Sequence, residues 1–153
     1  MAAETPTVHA SAVLAGAHAV LIRGPAGAGK SQLALALIQA ADTGLLRFAR
    51  LIGDDRLHLE VHHGRLLVRP AAALAGLIEV RGLGIRRLDY EPVAVVGLVV
   101  DLAAEDAERM PAPSETVLLG VPVRRLAVAA GTAPLPAVLA VLHGGQNEIK
   151  PRS

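Results

Sequence analysis

The stretch Gly24-Pro25-Ala26-Gly27-Ala28-Gly29-Lys30-Ser31 sets a lysine and a hydroxyl directly behind a run of small residues. It satisfies the pattern G-x-x-x-x-G-K-[ST] at Gly24, Gly29, Lys30 and Ser31. Small residues let the backbone curl until successive N–H groups point inward, where they can cradle phosphate oxygens. From this position Lys30 can reach β- and γ-phosphates, and the Ser31 hydroxyl can ligate Mg²⁺. A helix starting just behind the loop would add its partial positive charge. The chemistry implied is the binding of nucleotide phosphates with Mg²⁺.

Downstream, Asp54 and Asp55 stand at the end of an apolar run. A Mg-nucleotide site needs carboxylates in such a place. One can orient the metal or its water, and the other can accept a proton from an attacking hydroxyl. Adjacent residues of a strand point to opposite sides, so the two need not share a role. Glu79 and Arg81 are two apart; in a strand they share one face. A carboxylate and a guanidinium together, beside a backbone bent at Gly82 and Gly84, suit a site that holds metal and phosphate. His9 joins this set if the strand carrying it pairs antiparallel with the strand that feeds the loop.

These groups need elements to hold them. Ala19-Val20-Leu21-Ile22 reads as a buried strand leading into the loop, and the stretch from Gln32 to Ala40 reads as the helix leaving it. Strand, glycine loop and helix are the context in which the motif works. Val8 to Ala15 reads as a strand with its turn at Gly16-Ala17. Phe48 to Ile52 reads as a strand ending in Gly53-Asp54-Asp55. Arg56 to His62 and Arg65 to Arg69 form a hairpin across His63-Gly64, and Pro70 to Gly76 a short helix or loop. Leu77 to Ile85 is a strand running into the double-glycine bend. Val93 to Leu102 is the expected central strand, and Ala103 to Ser114 an acidic surface excursion. Thr116 to Gly120 and Val121 to Ala129 are short strands, and Pro134 to His143 a closing helix with Pro136 in its first turn. Residues 1–143 are expected to form one domain, with a frayed start at Met1 to Pro6 and a disordered tail over 144–153.

Composition narrows the function classes. The chain of 153 residues is 52% hydrophobic but only 1% aromatic, so its core rests on Ala, Val, Leu and Ile. A formal net charge of +1 gives no pull toward nucleic acid or an anionic membrane, and no aromatic residues interleave with basic ones as a stacking platform. The absence of cysteine removes disulfides, thiolate metal sites and Cys nucleophiles. His58, His62 and His63 lack a further ligand at metal-binding spacing. The apolar run Ala10 to Ile22 has no basic flank, carries Glu4 upstream, and leads straight into the glycine loop, so it reads as core rather than leader. A cytoplasmic protein is expected, with no nucleic-acid or membrane partner.

In order, His9, GPAGAGKS, Gly53-Asp54-Asp55 and Glu79-Val80-Arg81-Gly82-Leu83-Gly84-Ile85 (EVRGLGI) resemble the catalytic domain of the HPr kinase/phosphorylase family, which carries an EIRGLGI-type signature. The resemblance runs from about His9 to His143 and omits the family's separate N-terminal domain. It implies an α/β fold: a P-loop core with a mixed β-sheet and two main helices. It implies ATP and Mg²⁺ as cofactors, an HPr-like phosphocarrier protein of the phosphotransferase system as partner, and the family's hexamer as homo-oligomer. Carried over by motif, Gly24 to Ser31 would hold the nucleotide phosphates. Ser31 and Glu79 would be Mg²⁺ ligands, with Asp54 supporting the metal. Asp55 would accept the proton of the substrate serine, assisted at the same site by His9, Lys30 and Arg81. The family follows this signature with a longer glycine-rich loop ending in an arginine; here Arg86-Arg87-Leu88-Asp89-Tyr90-Glu91-Pro92 follows instead. The expectation is a regulatory serine kinase with weak or absent reverse phosphorolysis. A small-molecule kinase and a non-catalytic nucleotide sensor stay open beside it.

Overall fold

A computed structural model describes residues 6–144. The expected frayed start and the expected tail fall outside these residues, apart from Pro6 and Gly144.

The chain runs β1 (Thr7–Val8), β2 (Ser11–Ala15), β3 (His18–Arg23), α1 (Lys30–Asp42), β4 (Ala49–Gly53), β5 (Leu57–His62), β6 (Arg65–Pro70), β7 (Leu77–Val80), β8 (Gly84–Arg87), β9 (Ala94–Leu102), β10 (Ser114–Leu118), β11 (Val121–Val128) and α2 (Leu135–His143), with one 3₁₀ turn at Ala72–Leu74. This is the mixed α/β architecture with two helices expected from the sequence. One curled sheet has the order β1-β5-β6-β9-β3-β2-β4, with β11 also on β9 and β10 on β11; β7 and β8 form a separate two-stranded sheet.

Strand β9 is central because it is apolar on both faces. It pairs in parallel with β3 along one edge. Its N-terminal part pairs antiparallel with β6, and its C-terminal part in parallel with β11. Alternation along β3 divides the interior in two. Val20 and Ile22 face α1 and α2, together with Leu33, Leu37, Leu98, Val100 and Val138. Ala19 and Leu21 face the opposite side, with Ile52, Leu57, Leu66, Val68 and Val99. Each fully buried Leu, Ile or Val contributes about 1.5–3 kcal/mol relative to leaving it exposed. In α1, buried Leu33, Ala34, Leu37 and Ala40 follow the helical period and lay one stripe on the sheet.

Three local expectations change. The strand expected from Val8 to Ala15 is broken at His9-Ala10, because its two parts serve different neighbours. Thr7–Val8 pairs with β5, whereas Ser11–Ala15 lies between β3 and β4. Asp54 and Asp55 are not on a strand, since β4 ends at Gly53. The Arg56 N–H donates to the Asp54 carbonyl at 2.9 Å, closing a three-residue turn around Asp55, whose φ is 71°. The two carboxylates diverge through that turn and not through strand alternation. Arg81 likewise lies beyond β7, in the turn that Gly82 and Gly84 close at φ of 85° and 89°, so it shares no strand face with Glu79.

Candidate functional site

Strand β3 delivers the chain to Gly24, and α1 begins at Lys30. Two glycines of the loop between them have distinct physical roles. A Cβ on Gly24 would meet the Leu102 Cβ and carbonyl oxygen at 3.1 Å, so this position is set by close approach to β9. Gly29 takes φ of 101° at the N-cap of α1, a conformation that disfavours side chains. The first turn of α1 carries no acidic residue, leaving the helix N-terminal partial charge uncompensated by side chains. The Lys30 ammonium is folded over the loop, donating to the carbonyls of Gly24 (2.8 Å) and Pro25 (3.2 Å).

Asp54 is the organiser of the neighbouring flank. It is 6% exposed, and a buried carboxylate needs donors. Oδ1 accepts from the Ser11 hydroxyl at 2.5 Å and the Ser31 hydroxyl at 2.8 Å. Oδ2 accepts from Ser31 at 2.8 Å and from the Glu79 N–H at 3.1 Å. An ionised carboxylate only accepts, so the Ser31 proton is committed to Asp54 and its oxygen lone pairs are left for another partner. Asp55, one residue on, is two-thirds exposed and lies 3.7 Å from His9 Nδ1. That separation makes them neighbours in charge, beyond hydrogen-bond length.

These groups converge on one cavity of about 430 Å³. His9, Ser11, Lys30, Ser31, Asp54, Asp55, Glu79 and Arg81 line it, with Gly24, Ala26, Gly27, Gly29 and Gln32 of the loop and helix start. Pro25 and Ala28 face away, to the opposite flank of the loop. The structure thus brings together His9, Lys30, Ser31, Asp54, Asp55, Glu79 and Arg81, although they come from four separate stretches of the chain.

The cavity's chemistry fits a triphosphate with a hard cation. Backbone N–H groups, a helix N-terminus and Lys30 offer donors to anionic oxygens. The Ser31 oxygen and the Glu79 and Asp54 carboxylates offer the oxygen ligands that Mg²⁺ takes. Among the described residues no three His, Asp or Glu side chains form a metal cage. Mg²⁺ is usually held by one or two carboxylates plus substrate phosphates and water, so the set suffices.

Two features escaped the sequence reading. Ser11 is fully buried against Asp54, and its signal was only a hydroxyl inside the apolar run Ala10 to Ala15. The second is an ion-pair chain behind the loop. Asp101 accepts from Arg23 Nε (2.7 Å) and Nη2 (2.8 Å) and from Arg125 Nε (2.6 Å); Arg125 in turn makes a forked pair with Asp106. Burial pushes the Asp101 pKa up, but the hydrogen bonds and charges of Arg23 and Arg125 outweigh it and hold the carboxyl below its ordinary range. The Asp106 carboxyl is lowered by the Arg125 hydrogen bond. The Arg125 guanidinium is raised by Asp106 and then Asp101.

The HPr Serine kinase C-terminal domain family matches residues 1–91. The chain is 39% identical over 84 residues to an HPr kinase/phosphorylase of Streptococcus thermophilus, and 35% identical over 83 residues to one of Clostridium tetani. Each match covers 54% of this chain and 25% or 24% of the relative, so the chain spans about a quarter of the length of the curated relatives it matches. The solved structure of the Hpr(Ser) kinase/phosphatase from Coxiella burnetii superposes with a TM-score of 0.72 at 26% identity, covering 91% of this chain and 96% of that one. Sequence similarity is thus concentrated before β9, and the likeness of fold extends over nearly all of the chain.

Proposed function

The chain belongs to the HPr serine kinase C-terminal domain family, and from that premise we propose that it is a Mg²⁺-ATP-dependent serine kinase acting on an HPr-like phosphocarrier protein. The observation that carries the reading is the convergence of the glycine loop, the Ser31–Asp54 pair and the His9–Asp55 pair on one cavity.

In this reading the loop Gly24 to Ser31 holds the nucleotide phosphates, with Gly24, Ala26, Gly27, Gly29, Lys30 and Ser31 lining the cavity and Pro25 and Ala28 completing the loop on its far flank. Lys30 supplies positive charge where negative charge develops on the transferred group. Asp54 fixes the Ser31 hydroxyl so that its lone pairs face the cavity, and Ser31 and Glu79 ligate Mg²⁺. When bound, the metal neutralises phosphate charge and orients the phosphates. Asp55, exposed at the cavity mouth, accepts the proton of the incoming serine hydroxyl. His9 and Arg81 flank that point and orient the anionic groups. A cytoplasmic setting, a homo-oligomer and a partner that is neither nucleic acid nor membrane complete the proposal. No helix among the described residues is long and apolar enough to cross a membrane.

The experiment is incubation with labelled ATP, Mg²⁺ and purified HPr-family proteins, followed by mapping of the modified residue. Label on a serine of the phosphocarrier is the expected result. Label on a small molecule alone, or nucleotide binding without transfer, would move the assignment to a small-molecule kinase or a sensor.

A further inference from the structure

Ser11 is a buried hydroxyl that the proposed reaction leaves without a task. It is fully buried, and so are its neighbours Ala10 and Ala12, so an alanine would suit this stretch of core as well as they do. A hydroxyl in such a place costs free energy unless it is bonded. Here its proton goes to Asp54 Oδ1 at 2.5 Å, the length of a charge-assisted bond from hydroxyl to carboxylate. Ser11 also lines the cavity that Lys30, Ser31 and Glu79 line.

The three donors to Asp54 differ in what holds them. Ser31 stands in the first turn of α1, behind the glycine loop, and the Glu79 N–H belongs to β7 of the separate two-stranded sheet. Ser11 alone stands on the main sheet, in β2, opposite Ile22 of β3 and one residue before the Ala12–Gly53 pair with β4. Asp54 has no strand of its own, because β4 ends at Gly53. Just before that end the ladder with β2 slips by one residue, pairing Ala12 with Gly53 but Val13 with Leu51. A bulge of this kind re-aims the chain that follows it. The bond from Ser11 therefore ties the carboxylate of a turn residue to the sheet. His9 and Asp55 lie 3.7 Å apart, two residues before Ser11 and one after Asp54, so the same two segments meet twice at the cavity.

We propose that Ser11 is a positioning residue for the metal. By holding Asp54 Oδ1 it keeps the carboxylate on the Ser31 hydroxyl, so that the Ser31 oxygen offers its lone pairs to Mg²⁺. The proposal rests on the reading of Ser31 and Glu79 as Mg²⁺ ligands, and deepens it. Ser31 has one proton, which lies 2.8 Å from each Asp54 oxygen and cannot by itself fix the carboxylate's rotation. The second hydroxyl, on Oδ1, does. Ser11 acts through Asp54 and needs no contact with metal, nucleotide or substrate. Removing such an outer partner of a metal ligand typically lowers metal affinity about 10–100-fold.

Calorimetry of ATP binding, once with Mg²⁺ and once with EDTA, tests this. The quotient of the two affinities is the gain that the metal gives. In Ser11→Ala that gain should fall about tenfold or more, while ATP affinity in EDTA stays within about twofold of wild type. A variant that melts at lower temperature but keeps the wild-type gain shows a purely structural serine and overturns the proposal. An equal loss of affinity with and without metal overturns it too. Ser11→Cys keeps the size and a weak donor, so its gain should lie between those of wild type and Ser11→Ala; any other order overturns the proposal. If Ser11→Ala does not fold, Ser11→Cys carries the test alone, and a wild-type gain in it is then the overturning result. If wild type gains nothing from Mg²⁺, the reading of Ser31 and Glu79 as metal ligands fails and this proposal falls with it. If wild type gains and the variants gain equally, only the role of Ser11 fails.

Discussion

The Ser31 hydroxyl lies 2.8 Å from both carboxylate oxygens of Asp54, a residue 23 positions further along the chain. This contact joins the start of α1 to the turn after β4. It also fixes which way the hydroxyl's lone pairs face. The rest of the flank is ordered through the same carboxylate, since Ser11 and the Glu79 backbone donate to it as well.

Asp54→Asn should therefore act on two levels. An amide presents a donor where donors already converge, so the variant should lose about 1–3 kcal/mol of stability. In transfer assays it should need more Mg²⁺, with most of the rate restored at saturating metal. Thermal denaturation and a Mg²⁺ titration of the rate check the two effects. Loss of turnover that metal does not restore would assign Asp54 the proton-accepting role instead.

Asp55→Asn should lose about 10²–10⁴-fold in transfer rate, the usual contribution of a general base, while ATP affinity stays close to wild type. The fold should be kept, because Asn tolerates the positive φ of 71° that residue 55 adopts. Asp55→Ala should lose the same rate and, in addition, about 1 kcal/mol of stability from the same backbone strain. Single-turnover kinetics with denaturant titration of both variants separates chemistry from folding.

Asp101 makes a pH prediction. Its carboxyl is held below the ordinary range in the folded protein, against about 3.9 in the unfolded chain. The stabilisation from this group is thus fully present above about pH 4–5 and is lost as pH falls through the depressed folded value. Asp101→Asn should cost about 2 kcal/mol at neutral pH. The difference from wild type should shrink below about pH 4, where the unfolded wild type takes up its proton. Urea denaturation of both proteins from pH 7 to pH 3 measures it. A difference that stays constant down to pH 3 would show that the arginines do not act through this carboxylate's charge.

The residues easiest to read from sequence were those whose chemistry depends on near neighbours. The loop from Gly24 to Ser31 and the Asp54-Asp55 pair carry their spacing in the chain itself. Ser11 was not legible, because its role follows from β2 lying between β3 and β4, which sets it beside a carboxylate 43 residues away. The Arg23–Asp101 pair spans 78 residues and exists only in the parallel register of β3 with β9. The break at His9 escaped the reading because an apolar alternation does not reveal that a strand changes partners. Arg81 was placed on a strand because Gly82 and Gly84 were read as a bend after it, whereas their positive φ values belong to a hairpin turn that already includes Arg81, between Val80 and Gly84.

The last prediction concerns direction: transfer to the phosphocarrier should exceed phosphorolysis. Phosphorolysis must hold inorganic phosphate next to phosphoserine, and two anions at close range need cations, best supplied by forked guanidinium groups. The stretch before α2, which borders the glycine loop, is one place from which such a cation could come. Here that stretch is Val128-Ala129-Ala130-Gly131-Thr132-Ala133-Pro134, with no cation, and it walls an apolar slot. Arg125, the nearby candidate on β11, already has its Nε–H committed to Asp101 and its Nη1 and Nη2 donors committed to Asp106. Moving it to a phosphate would leave Asp101 with one partner in place of two. Arg81 lines the carboxylate cavity together with Lys30, and in the function proposed above it is assigned to the forward reaction. The assay mixes phosphoserine-HPr, the protein, Mg²⁺ and inorganic phosphate and follows pyrophosphate release. Release should be at least about tenfold slower than forward transfer, the penalty expected for one missing charge-assisted contact. Release at the forward rate would show that Arg81 or Arg86 supplies the second anion's contacts, and Arg81→Gln and Arg86→Gln would then tell which.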